Sequence, residues 1–529
     1  MTSPKPLALL CALAATLAAC SAELDRAPLA AADPAAGPAA EEWPSDGRDY
    51  TAQRYSPLTQ IDASNVSRLG LAWFDQYDTF RGVEATPIYS DGVLYNTLPF
   101  NVTIAYDATT GERLWTYDPQ VPREFGRYAC CEPVSRGLAM HGDKVIIATL
   151  DGRLIALDRA SGKPVWTSRV FPLESGYAYS ITGAPRVFGD KVVVGQSGGD
   201  FGVRGFAAAF DAETGEELWK FYLTPSPTGE PDGAASDPVL PMMRETWFGD
   251  GWKELGGGAN PWDSIAYDPE LDLVYVGTGN STPHARYYRS DNKGDNLFVC
   301  SIVALKGATG EYVWHYQMNP GEEWDWTCTQ SMISADLEIG GKVRKVLMQA
   351  PKNGFFYVLD RATGEFISAA AHVYQNWNDG FEANGRPITS AKVRYGFDPV
   401  LVAPGPGGAH NWFPMAFSPR TGLAYFPAYQ SAFVYALQPN WKPQPLRSNS
   451  GWGGFAGEAL QKRLALQEEG NRIEKAWLTA WDPVKQKPAW QVELPRHGNG
   501  GVFVTASDLV FAGTTKQTFA AFDARNGRV

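Results

Sequence analysis

A nine-residue signature, an Asp followed by a Gly-containing turn and closed by a Trp eight residues later, recurs along the chain and constrains its fold more than any other feature. It reads Asp107-Ala-Thr-Thr-Gly-Glu-Arg-Leu-Trp115, returns as Asp158-Arg-Ala-Ser-Gly-Lys-Pro-Val-Trp166 and Asp211-Ala-Glu-Thr-Gly-Glu-Glu-Leu-Trp219, and again as Lys306-Gly-Ala-Thr-Gly-Glu-Tyr-Val-Trp314. Weaker copies start at Asp360, Ser418, Asp482 and Asp523. A β-rich stretch such as Lys144-Val-Ile-Ile-Ala-Thr-Leu150 precedes the turn, and the Trp opens the next strand. The Gly supplies the positive φ that such turns need, so each unit reads as a small antiparallel sheet. Starts at 107, 158 and 211 lie 51 and 53 residues apart, the size of a four-stranded propeller blade. A β-solenoid would repeat every 20 to 30 residues, roughly, and a sandwich would not repeat. The 95 residues between Asp211 and Lys306 have room for a further blade with a degenerate turn at Tyr267-Asp-Pro-Glu-Leu-Asp272. With opening strands near Leu71 and Val93, the expectation is an all-β, eight-bladed β-propeller with Trp docked between neighbouring blades. The copy at Asp523 calls for a Trp two residues beyond Val529, so the last blade is expected to lack its outer strand.

Composition agrees with one large, turn-rich body: 18 Trp, 23 Tyr and 26 Phe exclude a disordered chain, while 54 Gly and 38 Pro without a short period exclude collagen and long helices. The net charge of −12 comes without a long run of like charge, which argues against nucleic acid or an anionic membrane as the main partner. Met1 to Cys20 combines one Lys with a short apolar run and reads as a secretory signal. Its Leu17-Ala-Ala-Cys20 ending resembles a bacterial lipobox, which would make Cys20 a lipid anchor; a plain cleaved signal is the alternative. Either reading places the mature chain in the periplasm. Residues 21–42, rich in Ala, Pro and acidic groups, read as a flexible tether before a propeller spanning 43–529. Beyond the leader, Cys130, Cys131, Cys300 and Cys328 face an oxidising compartment, where pairing is plausible. No CxxC, CxxCH or zinc-type spacing occurs, so covalent haem and structural zinc are not expected within this sequence.

The repeated Trp are structural, so chemistry must come from residues outside the repeat. In Trp324-Asp325-Trp326 a carboxylate sits between two aromatics, where poor solvation would tune its basicity. An acidic turn flanked by core aromatics is the structural alternative. Ser197-Gly-Gly-Asp200 and Gly277-Thr-Gly-Asn280 are Gly-rich turns ending in an oxygen ligand, and neither opens a helix as a dinucleotide fingerprint would. Asp200, Asn280 and Asp325 together would make an all-oxygen cation site of the kind Ca²⁺ prefers.

These residues resemble the pyrroloquinoline-quinone (PQQ)-dependent alcohol dehydrogenases, most closely the soluble quinohaemoprotein type. The likeness runs from Trp43-Pro-Ser-Asp-Gly-Arg-Asp-Tyr50 to the last residues, through Glu84-Ala-Thr-Pro87, Cys130-Cys131, Ser180-Ile-Thr-Gly-Ala-Pro185, Phe201-Gly-Val-Arg-Gly205, Ala350-Pro-Lys-Asn-Gly354 and His410-Asn-Trp-Phe-Pro414. The resemblance implies that Asp325 is the general base toward a small alcohol and, with Asp200 and Asn280, a ligand of Ca²⁺. It assigns Glu84, Arg136, Thr182, Ser197, Gly198 and Gly199 to the carboxylates and ring atoms of PQQ, and Lys352 to its ortho-quinone oxygens. Asn411 and Trp412 match further cofactor contacts, Trp262 the indole floor, and Cys130-Cys131 a vicinal disulfide forming the roof. It also implies a cytochrome c as electron acceptor. The quinohaemoprotein type carries a fused cytochrome domain that is not in this sequence, which suggests a fragment.

Departures from the family pattern also stand in the sequence. Asp200 replaces a Glu ligand, Thr327 stands where lanthanide-dependent relatives have a second Asp, and Gly498 replaces a Trp before Asn499. Cys300 and Cys328 replace small residues, and a second disulfide bracing the loop of Asp325 is one reading of them, buried thiols the other. None of the six His (His141, His284, His315, His372, His410 and His497) has ligand spacing, so structural roles are expected of them. Two competing functions remain: a non-enzymatic lipoprotein propeller scaffold, and a sugar or polymer-alcohol dehydrogenase of the same cofactor class.

Overall fold

The structure, a computed structural model, describes residues 37–495 and 500–529. Strands form where Val, Ile and Ala runs are bounded by turns; Lys144–Ala148, for example, is buried along its whole length. They assemble into antiparallel sheets, and the repeat signature is what joins one sheet to the next. Asp107 accepts the backbone N–H groups of Thr109 and Thr110 at 3.0 and 2.8 Å, closing a turn in which Gly111 has φ 76°. The Trp of one blade lies flat on the Gly turn of its neighbour. A Cβ on Gly162 would come within 2.7 Å of the Trp115 indole, and one on Gly310 within 2.7 Å of Trp219. Three of these indoles also donate their N–H to a carbonyl of the same turn: Trp115 to Arg159, Trp219 to Gly307 and Trp490 to Ala524, all at 3.0 Å. Gly and Trp therefore recur as one interlocking pair shared between adjacent blades, which accounts for their fixed spacing.

Among the described residues there are seven four-stranded sheets, so the propeller has seven blades and not the eight expected from the repeat count. Two features misled that count. The turns at Tyr267–Asp272 and Ser418–Gly422 join the first two strands of blades whose signature turns lie at Lys306 and Asp482, so they found no blade of their own. Residues 69–87, where a strand near Leu71 was expected, contain no strand, although the Trp73 indole docks on Gly111 like the others and donates to Ala108 O at 3.0 Å. The seventh sheet comprises Val502–Thr505, Leu509–Thr514 and Thr518–Asp523, joined by Tyr55–Ser56, which runs parallel to Val502–Thr505 with Tyr55 opposite Val504.

The leader Met1 to Cys20 and residues 21–36 of the expected tether lie outside the described residues, as do His497, Gly498 and Asn499. Residues 37–42 fold back onto the propeller: the Arg48 guanidinium donates to the carbonyls of Pro38 and Ala39, and Glu42 accepts the Asp91 N–H. No helix among the described residues is long and apolar enough to cross a membrane. The largest buried side chains include Trp324, Trp326 and Trp377, so the aromatic core lies directly beneath the loop that carries Asp325.

Candidate active site

The loops after the strands Lys191–Val194, Leu273–Gly277 and Lys342–Gln349 converge with the blade-to-blade loop between Tyr312–Gln317 and Met332–Ile339, and the polar residues singled out in the sequence meet there. Asp325 lies between Trp324 and Trp326 in the chain, both fully buried with their ring centres 4.7 Å apart and tilted by 32°, and its backbone is held at φ 65°. Lys352 Nζ donates to the Asp325 main-chain carbonyl at 3.0 Å and lies 3.5 Å from its Oδ2. Asn280 Nδ2 donates to Asp200 Oδ1 at 3.2 Å. Asp200, Asn280 and Asp325 are thus brought together as expected.

A fourth group completes the cluster. His284 Nε2 lies 3.2 Å from Asp200 Oδ1 and 3.7 Å from Asp325 Oδ1, and ligating atoms of Asp200, His284 and Asp325 fall within 4.8 Å of one another. His284 was expected to be structural. The signal that could have found it is its position four residues after Asn280 in the same loop. Electrostatics separates the two acids. Burial pushes the Asp325 carboxyl up to about 6, with Lys352 opposing and Asp200 reinforcing the shift. Burial also raises Asp200, but the hydrogen bond and charge of His284, with Lys352, outweigh it and leave Asp200 below the usual range. Burial lowers the imidazole of His284, yet the Asp200 hydrogen bond and the Asp325 charge carry its pKa upward overall. Positive charge is therefore drawn to this point by two carboxylates, and a divalent cation satisfies the same demand.

Beside the cluster lies a cradle. Arg136 pairs with Glu84 at 2.9 Å and donates to Thr182 Oγ1 at 2.7 Å, and Thr182 and Ser197 share a hydroxyl hydrogen bond of 2.7 Å. The Arg136 guanidinium lies 4.8 Å from the Trp262 ring centre and 5.4 Å from that of Trp412. Burial raises the Glu84 carboxyl, with Arg136 opposing. Gly198 sits at φ 102°, and a Cβ there would strike the Ala178 carbonyl, while a Cβ on Gly199 would strike Asn260 Oδ1. Asn260 Oδ1, Arg136 Nε and His284 Nδ1 are buried without a hydrogen-bond partner, so polar capacity is left over where a planar, polyanionic group would bind. The donor set and the side-chain-free turn fit PQQ and a hard cation. Asn411, next to Trp412, donates its amide N–H to Gly407 O and accepts the Trp412 N–H at its amide oxygen.

The cysteines differ from expectation in one respect. Cys130 and Cys131 are free, exposed thiols, not a vicinal disulfide. They hydrogen-bond to each other, which raises the pKa of Cys130 and lowers that of Cys131. The physical reason lies in their adjacency: consecutive Cα atoms sit about 3.8 Å apart, less than the roughly 4.4 to 6.8 Å that disulfides usually span. The bridge that is present joins Cys300 to Cys328, Cα–Cα 4.8 Å, and ties the loop after Trp326 to the start of the strand Ser301–Lys306.

A propeller with a charge-lined cradle beside a carboxylate cluster defines a cofactor-dependent β-propeller, and comparison with known proteins says of which kind. The family model for the PQQ β-propeller domain of glucose, ethanol and alcohol dehydrogenases matches residues 43–372. Quinohemoprotein alcohol dehydrogenase ADH IIB of Pseudomonas putida is 48% identical over 522 residues, 98% of this chain and 73% of that protein. The crystal structure of quinohemoprotein alcohol dehydrogenase from Comamonas testosteroni superposes with a TM-score of 0.86 at 44% identity, over 92% of this chain and 72% of that one. The 1-butanol dehydrogenase (cytochrome c) of Thauera butanivorans is 43% identical over 92% of this chain and 70% of its own. The chain belongs to the PQQ-dependent alcohol dehydrogenases, a family of oxidoreductases.

Proposed function

We propose that this protein oxidises a primary or secondary alcohol to an aldehyde or ketone with PQQ and Ca²⁺, and passes the electrons to a cytochrome c. The observation that carries the reading is the placing of Asp325, a carboxylate with a raised pKa, beside Lys352 and across from the Asp200–Asn280–His284 cluster. Asp200, Asn280 and Asp325 supply the oxygen ligands for the cation, and Thr327, with no charge to add, favours Ca²⁺ over a trivalent lanthanide. Glu84, Arg136, Thr182, Ser197, Gly198, Gly199, Asn411 and Trp412 surround the cofactor, with Trp262 as floor and the Cys130–Cys131 pair on the other side. When bound, PQQ supplies the acceptor for the hydride of the alcohol C–H bond, and Ca²⁺ supplies Lewis acidity at its carbonyl. Asp325 receives the hydroxyl proton at a carboxylate oxygen, for which a pKa near 6 is well matched to neutral pH. Lys352 holds that carboxylate in place and places positive charge where negative charge accumulates.

The acceptor follows the Thauera butanivorans relative, a 1-butanol dehydrogenase (cytochrome c). The reading extends to a periplasmic location with Cys20 as the lipid attachment point. Loading the purified protein with PQQ and Ca²⁺ and following alcohol-dependent dye reduction over primary, secondary, sugar and polymer alcohols tests it. Turnover with short alcohols supports the proposal, and turnover with sugar or polymer alcohols alone would move it to the other substrate class. No cofactor binding at all would favour a scaffold.

A further inference from the structure

We infer that Glu322 is a positioning residue: its fully buried carboxylate fixes Asp325 in its catalytic pose and couples that pose to the loop carrying Asn280 and His284. Its Oε1 accepts the backbone N–H of Trp324 at 2.6 Å and of Trp326 at 2.8 Å, the two amides that flank Asp325. Asp325 itself lies in the left-handed region at φ 65°, which a residue with a side chain adopts only when its surroundings impose it. One carboxylate oxygen gripping both neighbouring amides is what imposes it here. The other oxygen accepts the Ser281 hydroxyl at 3.1 Å and lies 3.4 Å from the Ser281 backbone N, one residue after Asn280.

Arg289, also fully buried, completes the brace. It donates to Glu322 O at 2.6 Å, to Ser281 Oγ at 2.5 Å and to the carbonyls of Pro283 and His284 at 2.9 and 2.5 Å. Burial lowers the Arg289 guanidinium only to about 10, so it stays charged at neutral pH and balances the acid beside it. The neighbouring Glu323 has a different task, pairing with Arg394 at 2.9 Å. Buried charges of opposite sign held this way by hydrogen bonds add little net stability over apolar packing but can specify one conformation. The conformation specified here holds the proton-accepting carboxylate and the cation loop in register, and charge-assisted hydrogen bonds to backbone are the stiffest means of doing so.

This inference rests on the proposed function, and the test separates the two. Glu322→Gln keeps the shape of the side chain and loses the second acceptor oxygen; Glu322→Ala loses both. For wild type and variants, amide hydrogen exchange of the segment 322–328 is measured on protein free of cofactor. Ca²⁺ binding is measured by calorimetry, and kcat and KM on loaded protein. Exchange at residues 324 and 326 is expected to rise tenfold or more in Glu322→Ala with the blade strands unchanged. Ca²⁺ affinity and kcat are expected to fall about tenfold in Glu322→Gln with alcohol KM within about twofold. Wild-type exchange, Ca²⁺ affinity and kcat in both variants would overturn the inference, as would a loss confined to variants whose blade strands also lose protection. If Glu322→Ala does not fold, Glu322→Gln decides alone. Should the wild type neither bind Ca²⁺ nor turn over, the proposed function fails while the exchange data still decide the role of Glu322.

Discussion

Lys352 holds Asp325 at two points, with Nζ 3.0 Å from its main-chain carbonyl and 3.5 Å from its carboxylate. A single cation thereby fixes both the backbone and the side chain of one acid. Burial alone would lower the lysine, but Asp325 and Asp200 more than offset that, and its pKa lies above the usual value. Lys352 is in turn packed under Gly408, where a Cβ would collide with its side chain. The arrangement leaves Asp325 ionised at neutral pH yet basic enough to take a proton, which sequence alone suggested only through its two flanking Trp.

Asp263 gives a prediction about stability. It is buried next to the floor residue Trp262, and burial raises its carboxyl to about 6, with Arg136 and Arg186 opposing. A carboxyl with a raised folded pKa binds protons on folding, so its penalty is absent below the unfolded value near 3.8, grows as pH rises, and is complete above about 6. Asp263→Asn should therefore match wild type at pH 3.5 and exceed it at pH 7.5 by on the order of 1 to 3 kcal/mol. Denaturant unfolding at the two pH values measures the difference.

The Cys300–Cys328 bridge closes a loop of sequence separation 28. Removing it should cost about 3.6 kcal/mol on the chain-entropy account. Titrating thiols in denatured, unreduced protein should show one more in Cys300→Ser than in wild type, from the released Cys328. An unchanged count would contradict the bridge.

Gly199→Ala tests the cradle. The added Cβ collides with Asn260 Oδ1, a buried atom with no partner to relax toward. PQQ affinity, followed by quenching of tryptophan fluorescence, should drop at least about tenfold, the outcome of displacing a backbone turn that a ligand must approach closely. Thermal unfolding of the unloaded protein should move by only a few degrees.

How much of this was legible in the sequence follows from the range of each interaction. The signature turn was readable because Asp107, Thr110 and Gly111 satisfy one another within five residues. The blade number was not, because Tyr267–Asp272 and Ser418–Gly422 use the same local turn chemistry in a different hairpin, and turn chemistry does not say which strands it joins. Asp200, Asn280 and Asp325 were found through their Gly-rich or aromatic surroundings. His284 escaped because its partners Asp200 and Asp325 lie 84 and 41 residues away, so no spacing rule reports their convergence. The free thiols at Cys130 and Cys131 went the other way: the resemblance implied a bridge that the structure does not contain.

The central claim is that Asp325 takes the proton of the alcohol while PQQ and the cation are held by other groups as well. Turnover of Asp325→Asn loaded with PQQ and Ca²⁺, measured by alcohol-dependent dye reduction beside the wild type, tests it most directly. The account predicts that the variant still binds PQQ, keeps its fold, and turns over at least about a hundredfold more slowly, the scale of losing a general base. A variant that binds the cofactor and turns over at the wild-type rate would contradict it.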